Sequence, residues 1–536
     1  GSVGHTNWFY SIGSQVAWSG GLPAYSAASS RVALWVRPDD SVAGGTPVVG
    51  CMAPPNYVSV GGDCNDDDGA VAPGAEELCN DLDDDCDGEL DEGCPFGDIE
   101  LIGAPKPLQF YARDLTTNQC VIPVSGEFVG DAETVRLLVH RDGEPYAEVT
   151  GSGQSSFELE VPIEAGLHRY HLEVFWDGDS GFWKSVSTHP DILCGDVYLI
   201  DGQSNAVALD YQNEGLGDLN KTPFIRSFGS SVNNANVVND IGFGVAGANK
   251  GNTHAAIGQW GLQLAHEVMT AQELPLLVIN GAVGGTKVAQ HQRNAANPTD
   301  PSTIYGRLLW RVQQAEVADA VRGIFWHQGE SDGGMAFDTY LGLWTAMYEG
   351  WLTDYPDVEA VYTFQVRAGC GSPTWNRNVH RELPTLLDKV IGNMSTTGVA
   401  GHDNCHFFNS AYMEWGTRMA RLVNRDLYGV DVPGNIEAPN PVGAYWLDET
   451  HLAINFGDTG GGLLLQPGAA AYFSLSGGVG VEGATVAGST VVLETAAASA
   501  ATWVSFVDVP GDIPWLINDL GIGAFAVYQL PIGPAP

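Results

Sequence analysis

Hydrophobic and polar positions change their period twice along this chain. From 99 to 190 apolar residues alternate with polar ones, in runs such as 134–140, 156–161 and 168–175 separated by Gly, Asp and Pro turns. A period of two is that of a half-buried strand, so this segment predicts a β-sandwich. Between 191 and 430 the pattern is mixed. Strand-like apolar runs at 197–201, 275–280, 322–326 and 359–366 alternate with helical periodicity at 262–271, 305–318, 337–355 and 408–428. Strands and helices in alternation predict a doubly wound parallel sheet covered by helices on both faces. Beyond 431 the two-residue period returns at 452–456, 471–475, 490–495 and 503–507, predicting a second β-sandwich through 536. One further strand, 31–37, lies in an N-terminal β segment, 1–50, for which the pattern supplies no pairing partner.

The stretch 51–98 fits neither period. Five of the nine cysteines, Cys51, Cys64, Cys79, Cys86 and Cys94, fall there among clustered aspartates. Asp83, Asp85, Asp87, Gly88 and Asp91 occupy positions one, three, five, six and nine of a calcium loop, and Cys94 stands where an EF-hand has its last glutamate. Asp63 and Asp67 form a shorter acidic run upstream. A segment so poor in apolar residues needs ions or disulfides to fold, which predicts a calcium-binding module; an acidic linker is the alternative. The spacing resembles the Asp-rich, disulfide-stapled calcium repeats of secreted proteins, as in thrombospondin type 3 modules. That resemblance implies structural calcium, and a serine nucleophile elsewhere in the chain would need no cofactor for catalysis.

Composition narrows the partners. A chain of 536 residues exceeds what one core organises, so several domains are expected. Against 65 Asp and Glu stand 23 Lys and Arg, a net charge of -42, which excludes nucleic acid and anionic membrane surfaces as natural partners. No apolar run approaches the ~18 residues of a membrane span. Nine cysteines in so acidic a chain point to an oxidising compartment, hence a secreted, periplasmic or cell-surface protein. No signal peptide opens the chain, and its Gly-Ser start fits removal of an export signal.

Three strands of the mixed segment end in sequence suited to chemistry. Val-Tyr-Leu-Ile-Asp-Gly-Gln-Ser-Asn-Ala, 197–206, delivers Ser204 at a strand-to-helix turn, where a hydroxyl and the first N–H groups of a helix arrive together. The plainer reading is an N-cap serine. Leu-Leu-Val-Ile-Asn-Gly-Ala-Val-Gly-Gly-Thr-Lys, 276–287, ends in glycines that let backbone approach a ligand. Gly-Ile-Phe-Trp-His-Gln-Gly-Glu-Ser-Asp, 323–332, ends in a dense polar cluster. Such ends share one crevice above the carboxyl edge of a parallel sheet. A serine nucleophile also needs a base and an orienting acid, and Asp-x-x-His occurs twice. Asp403 and His406 precede the last helix of the mixed segment and are the expected pair; Asp448 and His451 fall in β-patterned sequence and are the decoy. Trp260, His291 and Arg367 are candidate sugar contacts, since aromatic faces and charged forks bind sugars, and each is equally readable as ordinary core or surface.

Gly-Gln-Ser-Asn at 202–205, Gly-Gly-Thr at 284–286 and Trp-His-Gln-Gly-Glu-Ser-Asp at 326–332 resemble, in order, the blocks of the SGNH (GDSL-like) hydrolases, in the sialate O-acetylesterase and carbohydrate acetylesterase branch. The resemblance covers about 190–430. It implies a flavodoxin-like α/β/α domain at 191–430 and a bacterial, secreted carbohydrate O-acetylesterase working through an acyl-enzyme. Its substrate would be an acetylated polysaccharide or oligosaccharide. It further implies Ser204 as nucleophile, His406 as base and Asp403 as orienting acid. The oxyanion hole would comprise the N–H of Ser204, the N–H of Gly285 and the side-chain amide of Gln328, which replaces the family's asparagine. Asn205, Glu330 and Asp332 would brace the loops, and Asn205 and Glu330 are also candidate substrate contacts. A Cys370–Cys405 disulfide pinning the His406 loop is expected from compartment and cysteine count. Two alternatives remain: a short-chain esterase or lipase without sugar preference, and a glycan-binding protein that keeps the fold without turnover.

Overall fold

The computed structural model describes residues 33–35, 48–50, 64, 71, 73–75 and 82–89. From 98 to 536 it describes all but 131, 154, 178–182, 250, 252, 373, 458, 460–461, 497–499 and 508–514. Near the N-terminus Ala33–Trp35 pairs antiparallel with Val48–Gly50, which supplies the partner that the pattern left open.

Two antiparallel sheets follow. One joins Asp98–Gly103, Gln119–Val129 and Ser156–Glu164; the other joins Thr134–Arg141, Glu144–Ser152 and Tyr170–Asp177. The predicted alternation appears as burial: Val135, Leu137 and Val139 meet Ile122, Val124 and Val161 in one core.

The strand Lys184–Gly202, here β1, leaves the second sheet and becomes the centre of the next. From Ser187 to Asp191 its residues alternate between half-buried and exposed, and then every residue from Ile192 to Gly202 is buried. The change has a simple cause. The first half has one face in solvent, while the second is covered on both faces as a parallel strand. The expected boundary between 190 and 191 therefore falls inside a continuous strand. Cys120–Cys194 and the pairing of Leu193–Gly195 with Phe110–Ala112 tie the two layers together around it.

In the central sheet, β1 lies between β2 (Leu276–Asn280) and β3 (Val321–His327), followed outward by β4 (Ala360–Gln365) and β5 (Val390–Ser395), all parallel. Ile225–Phe228 and the antiparallel Phe243–Val245 extend the β2 edge. After the one-turn α1 (Ser204–Val207), helices α2 (Gln259–Gln272) and α6 (Asn409–Tyr428) pack on one face, and α3 (Ile304–Gln314), α4 (Phe337–Asp354) and α5 (Asn376–Leu386) on the other. The pattern analysis missed α5 and β5. The helix contains Pro384 and buries only two apolar residues, Val379 and Leu383, beside polar Asn376, Arg377, Asn378 and His380, and the strand carries Gly392 and Asn393.

The C-terminal strands form one seven-stranded path plus a short ladder, Leu464–Leu465 with Leu516–Ile517, where two comparable sheets were expected. Val527–Gly533 is the reason: it pairs with both Trp503–Phe506 and Gly443–Trp446 and joins them into one sheet. This unit docks on the central sheet through Gln365, whose buried amide bonds both the carbonyl (2.9 Å) and the N–H (2.8 Å) of Ala526. Among the described residues no helix is long and apolar enough to cross a membrane.

Candidate active site

Ser204 opens a one-turn helix, Ser204–Val207, at the carboxyl end of β1. The approach depends on Gly202, at φ +134°. A Cβ there would lie 2.1 Å from the His327 carbonyl oxygen, so a side chain would push β3 away. Gln203 N–H donates to that carbonyl at 2.9 Å. On the other side Val283 N–H donates to Gly202 O at 3.0 Å, which seats Gly284 against the serine; a Cβ on Gly284 would be 3.7 Å from Ser204 Cβ. Gly285 follows at φ +73°, a left-handed conformation that favours glycine. The three motif-bearing strand ends thus meet at Ser204.

The His406 loop reaches the same place through Asn205. This fully buried amide donates to Cys405 O (3.0 Å) and Glu330 Oε1 (2.9 Å) and accepts from Phe407 N–H (3.3 Å) and the Tyr412 hydroxyl (3.0 Å). The residue after the serine therefore grips the backbone on both sides of His406. Tyr211, which sequence reasoning missed, stacks on the His406 ring at 4.1 Å and 19°, and its hydroxyl lies 3.5 Å from the Ser204 carbonyl. It belongs to a patternless loop, so nothing in the sequence marked it. Asp403 Oδ1 accepts from the N–H groups of Cys405 (2.8 Å) and His406 (2.7 Å), and Oδ2 lies 3.5 Å from His406 Nδ1. Burial acts to raise the Asp403 carboxyl, but the His406 and Cys405 N–H groups and the imidazole outweigh it and hold the pKa below the ordinary value. The Cys370–Cys405 disulfide is formed and pins this loop. No hydrogen bond joins Ser204 Oγ to His406 here, a separation common before substrate arrives.

Asp448 and His451 make a closer pair, 2.8 Å, but on the exposed hairpin between Gly443–Trp446 and His451–Asn455 in the C-terminal sheet. Location, not pair geometry, separates the two candidates.

Several expected contacts are corrected. Gln328 is fully buried, and its amide nitrogen faces Thr286 O (3.1 Å), Gln203 Oε1 (3.2 Å) and Asp332. Its hydrogens are already bonded, so it braces the turn and offers no donor to a substrate. Trp260 is fully buried with its indole N–H on Asn205 O at 2.8 Å, and His291 is fully buried with both ring nitrogens engaged; neither can touch a sugar. Glu330 is buried under Asn205. Arg367 bonds His402 Nδ1 and lies over Phe407, the residue after His406.

In the acidic module, oxygens of Asp83, Asp85 and Asp87 lie within 4.8 Å of one another. Asp83 accepts from Asp87 N–H and Gly88 N–H, both at 3.0 Å, and Cys64–Cys86 staples the loop. This arrangement fits a cation held by carboxylates. Asp63, Asp67 and Asp91 lie outside the described residues.

Comparison with known proteins bears on both regions. The family model of the carbohydrate esterases described as sialic acid-specific acetylesterase matches residues 194–425. A metal-binding-motif family named for copper binding in MopE matches 63–92. A search of curated proteins found no match. Among solved structures, a carbohydrate acetylesterase from Xanthomonas citri is 20% identical over 79% of this chain and 98% of its own, with a TM-score of 0.56, and so shares the fold. A family two carbohydrate esterase from Clostridium thermocellum (13% identical, 62% of this chain, 100% of its own, TM-score 0.28) and an Arabidopsis thaliana protein (15%, 42%, 97%, 0.34) are more distant.

Proposed function

We propose, from the match of residues 194–425 to the family model of the carbohydrate esterases described as sialic acid-specific acetylesterase, that this esterase removes O-acetyl groups from a polysaccharide or oligosaccharide outside the cell by serine catalysis. The observation that carries the reading is the Asn205 clamp, which delivers the His406 loop to the turn bearing Ser204. The β2-β1-β3-β4-β5 order, with helices on both faces, supports an SGNH-type flavodoxin-like core, with Ser204 where the strand order reverses.

In this mechanism His406 takes the Ser204 proton as Oγ attacks the acetyl carbonyl. It then returns the proton to the sugar hydroxyl that leaves, and water releases acetate from the acyl-enzyme by the same route. Asp403 orients the ring and stabilises its charged form. The N–H groups of Ser204 and Gly285 meet the developing oxyanion, where losing one donor typically costs about 100-fold or more. The carboxylate set of Asp83, Asp85 and Asp87 supports calcium in the acidic module, since hard oxygen ligands suit it better than copper, and the ion takes no part in ester chemistry. The Cys64–Cys86, Cys120–Cys194 and Cys370–Cys405 disulfides support an oxidising compartment.

Acetate release from acetylated polysaccharides and from a small acetyl ester tests the reading. Ser204→Ala and His406→Ala should abolish release while His451→Ala stays active. Full activity in Ser204→Ala would overturn the mechanism. Faster turnover of longer acyl chains, with no glycan turned over, would overturn the sugar substrate.

A further inference from the structure

The Gly284-Gly285 turn has no side chain to fix it, and the mechanism above needs one of its N–H groups aimed. Behind it runs a buried chain of side chains that catalysis does not otherwise use. Asp201 (1% exposed) accepts from Gly202 N–H at 2.7 Å and lies 3.2 Å from Nδ1 of His291 (0%). His291 Nε2 meets Thr286 Oγ1 at 2.8 Å, and Thr286 Oγ1 donates to Val283 O at 2.6 Å. The protons can be assigned. A carbonyl only accepts, so the single hydroxyl hydrogen of Thr286 is on Val283, and His291 Nε2 must carry the hydrogen that Oγ1 accepts.

Thr286 is held a second time, through its carbonyl, by Gln328 Nε2. The residue following the two glycines is thus tethered at hydroxyl and carbonyl by groups rooted in β1, the strand that ends at the nucleophile, and in β3 beside it. The His291 ring also stands edge-on to Trp326 at 5.0 Å and 86°, which restricts its rotation. Buried pairs of this kind add little stability over an apolar replacement, so their effect lies in geometry.

We propose that Asp201, His291 and Thr286 are positioning residues that aim the Gly285 N–H at the oxyanion; the inference rests on the esterase reading above. The test is kcat and KM on a small acetyl ester, with kcat expressed per serine titrated by a serine-directed phosphonate, so that misfolded protein does not count. Thr286→Val should lower kcat by about 10- to 100-fold with little change in KM, because the turn acts in the transition state. Thr286→Ser, which restores the hydroxyl, should recover most of that loss. A Thr286→Val/His291→Phe double variant should be no worse than the poorer single, as expected of one coupled chain. Should Thr286→Val not fold, His291→Phe carries the same readout. Wild-type kcat per titrated serine in Thr286→Val, or an equal loss in Thr286→Ser, overturns the proposal. Ser204→Ala run alongside separates the failures: a live Ser204→Ala sinks the esterase reading, whereas a dead one beside an unimpaired Thr286→Val sinks the positioning chain alone.

Discussion

Glu330 shows at the scale of one residue what burial does to a motif. Its Oε1 accepts from Asn205, while Oε2 is buried without a partner. Desolvation raises its carboxyl above the ordinary value despite the Asn205 bond. His327, 3.6 Å away, gives no compensating charge, because burial lowers its imidazole to about 3. A carboxyl raised in the fold binds a proton that the unfolded chain has lost, so its contribution to stability falls as pH rises from the unfolded value, about 4.3, through the folded one. Glu330→Gln removes that dependence. Its melting temperature relative to wild type should climb across this window, in thermal unfolding measured from pH 4 to 8; parallel curves would refute the assignment. The motif residues were legible as a cluster because Gln, His, Glu and Asp at one strand end have few bland uses. Their directions were not, and Gln328, His291 and Trp260 prove to be supports because neighbours on other strands and helices take their donors.

At the scale of elements, the decisive piece is the loop from 402 to 407, held by the Asn205 clamp, the Tyr211 stack and the Cys370–Cys405 bridge. Removing a cross-link over a separation of 35 residues should cost about 2–4 kcal/mol. A Cys370→Ser/Cys405→Ser variant should therefore melt lower and turn over more slowly, yet keep measurable activity because two anchors remain. Thermal unfolding and kcat, compared with reduced wild-type protein, check this, and an unchanged kcat would show that the bridge does not position His406. Elements with strong periods, such as α2, α4 and α6, were readable from sequence. Those made by context were not: α5 is polar with an internal proline, and Ile225–Phe228 places a fully buried Arg226 in a strand.

Across the whole molecule, the acidic module and the esterase chemistry are separable in the proposed reading. Chelation with EDTA should open the Cys64–Cys86 region to limited proteolysis while leaving acetate release unchanged, and added calcium should restore resistance. Loss of acetate release that calcium rescues would instead make the ion part of the catalytic fold. Sequence alone determined the succession of strand-patterned and mixed segments and the three strand ends that carry the polar motifs, while the Cys370–Cys405 pairing is settled by the structure. The succession and the strand ends depend on periodicity, composition and short-range turn chemistry, which are local. Only the tertiary structure decided that β1 spans two layers and that the C-terminal strands close into one path. It also decided that the Ser204 turn and the His406 loop, two hundred residues apart in the chain, meet through one asparagine. Those are long-range pairings, and they are set by which buried donor finds which acceptor once the layers close.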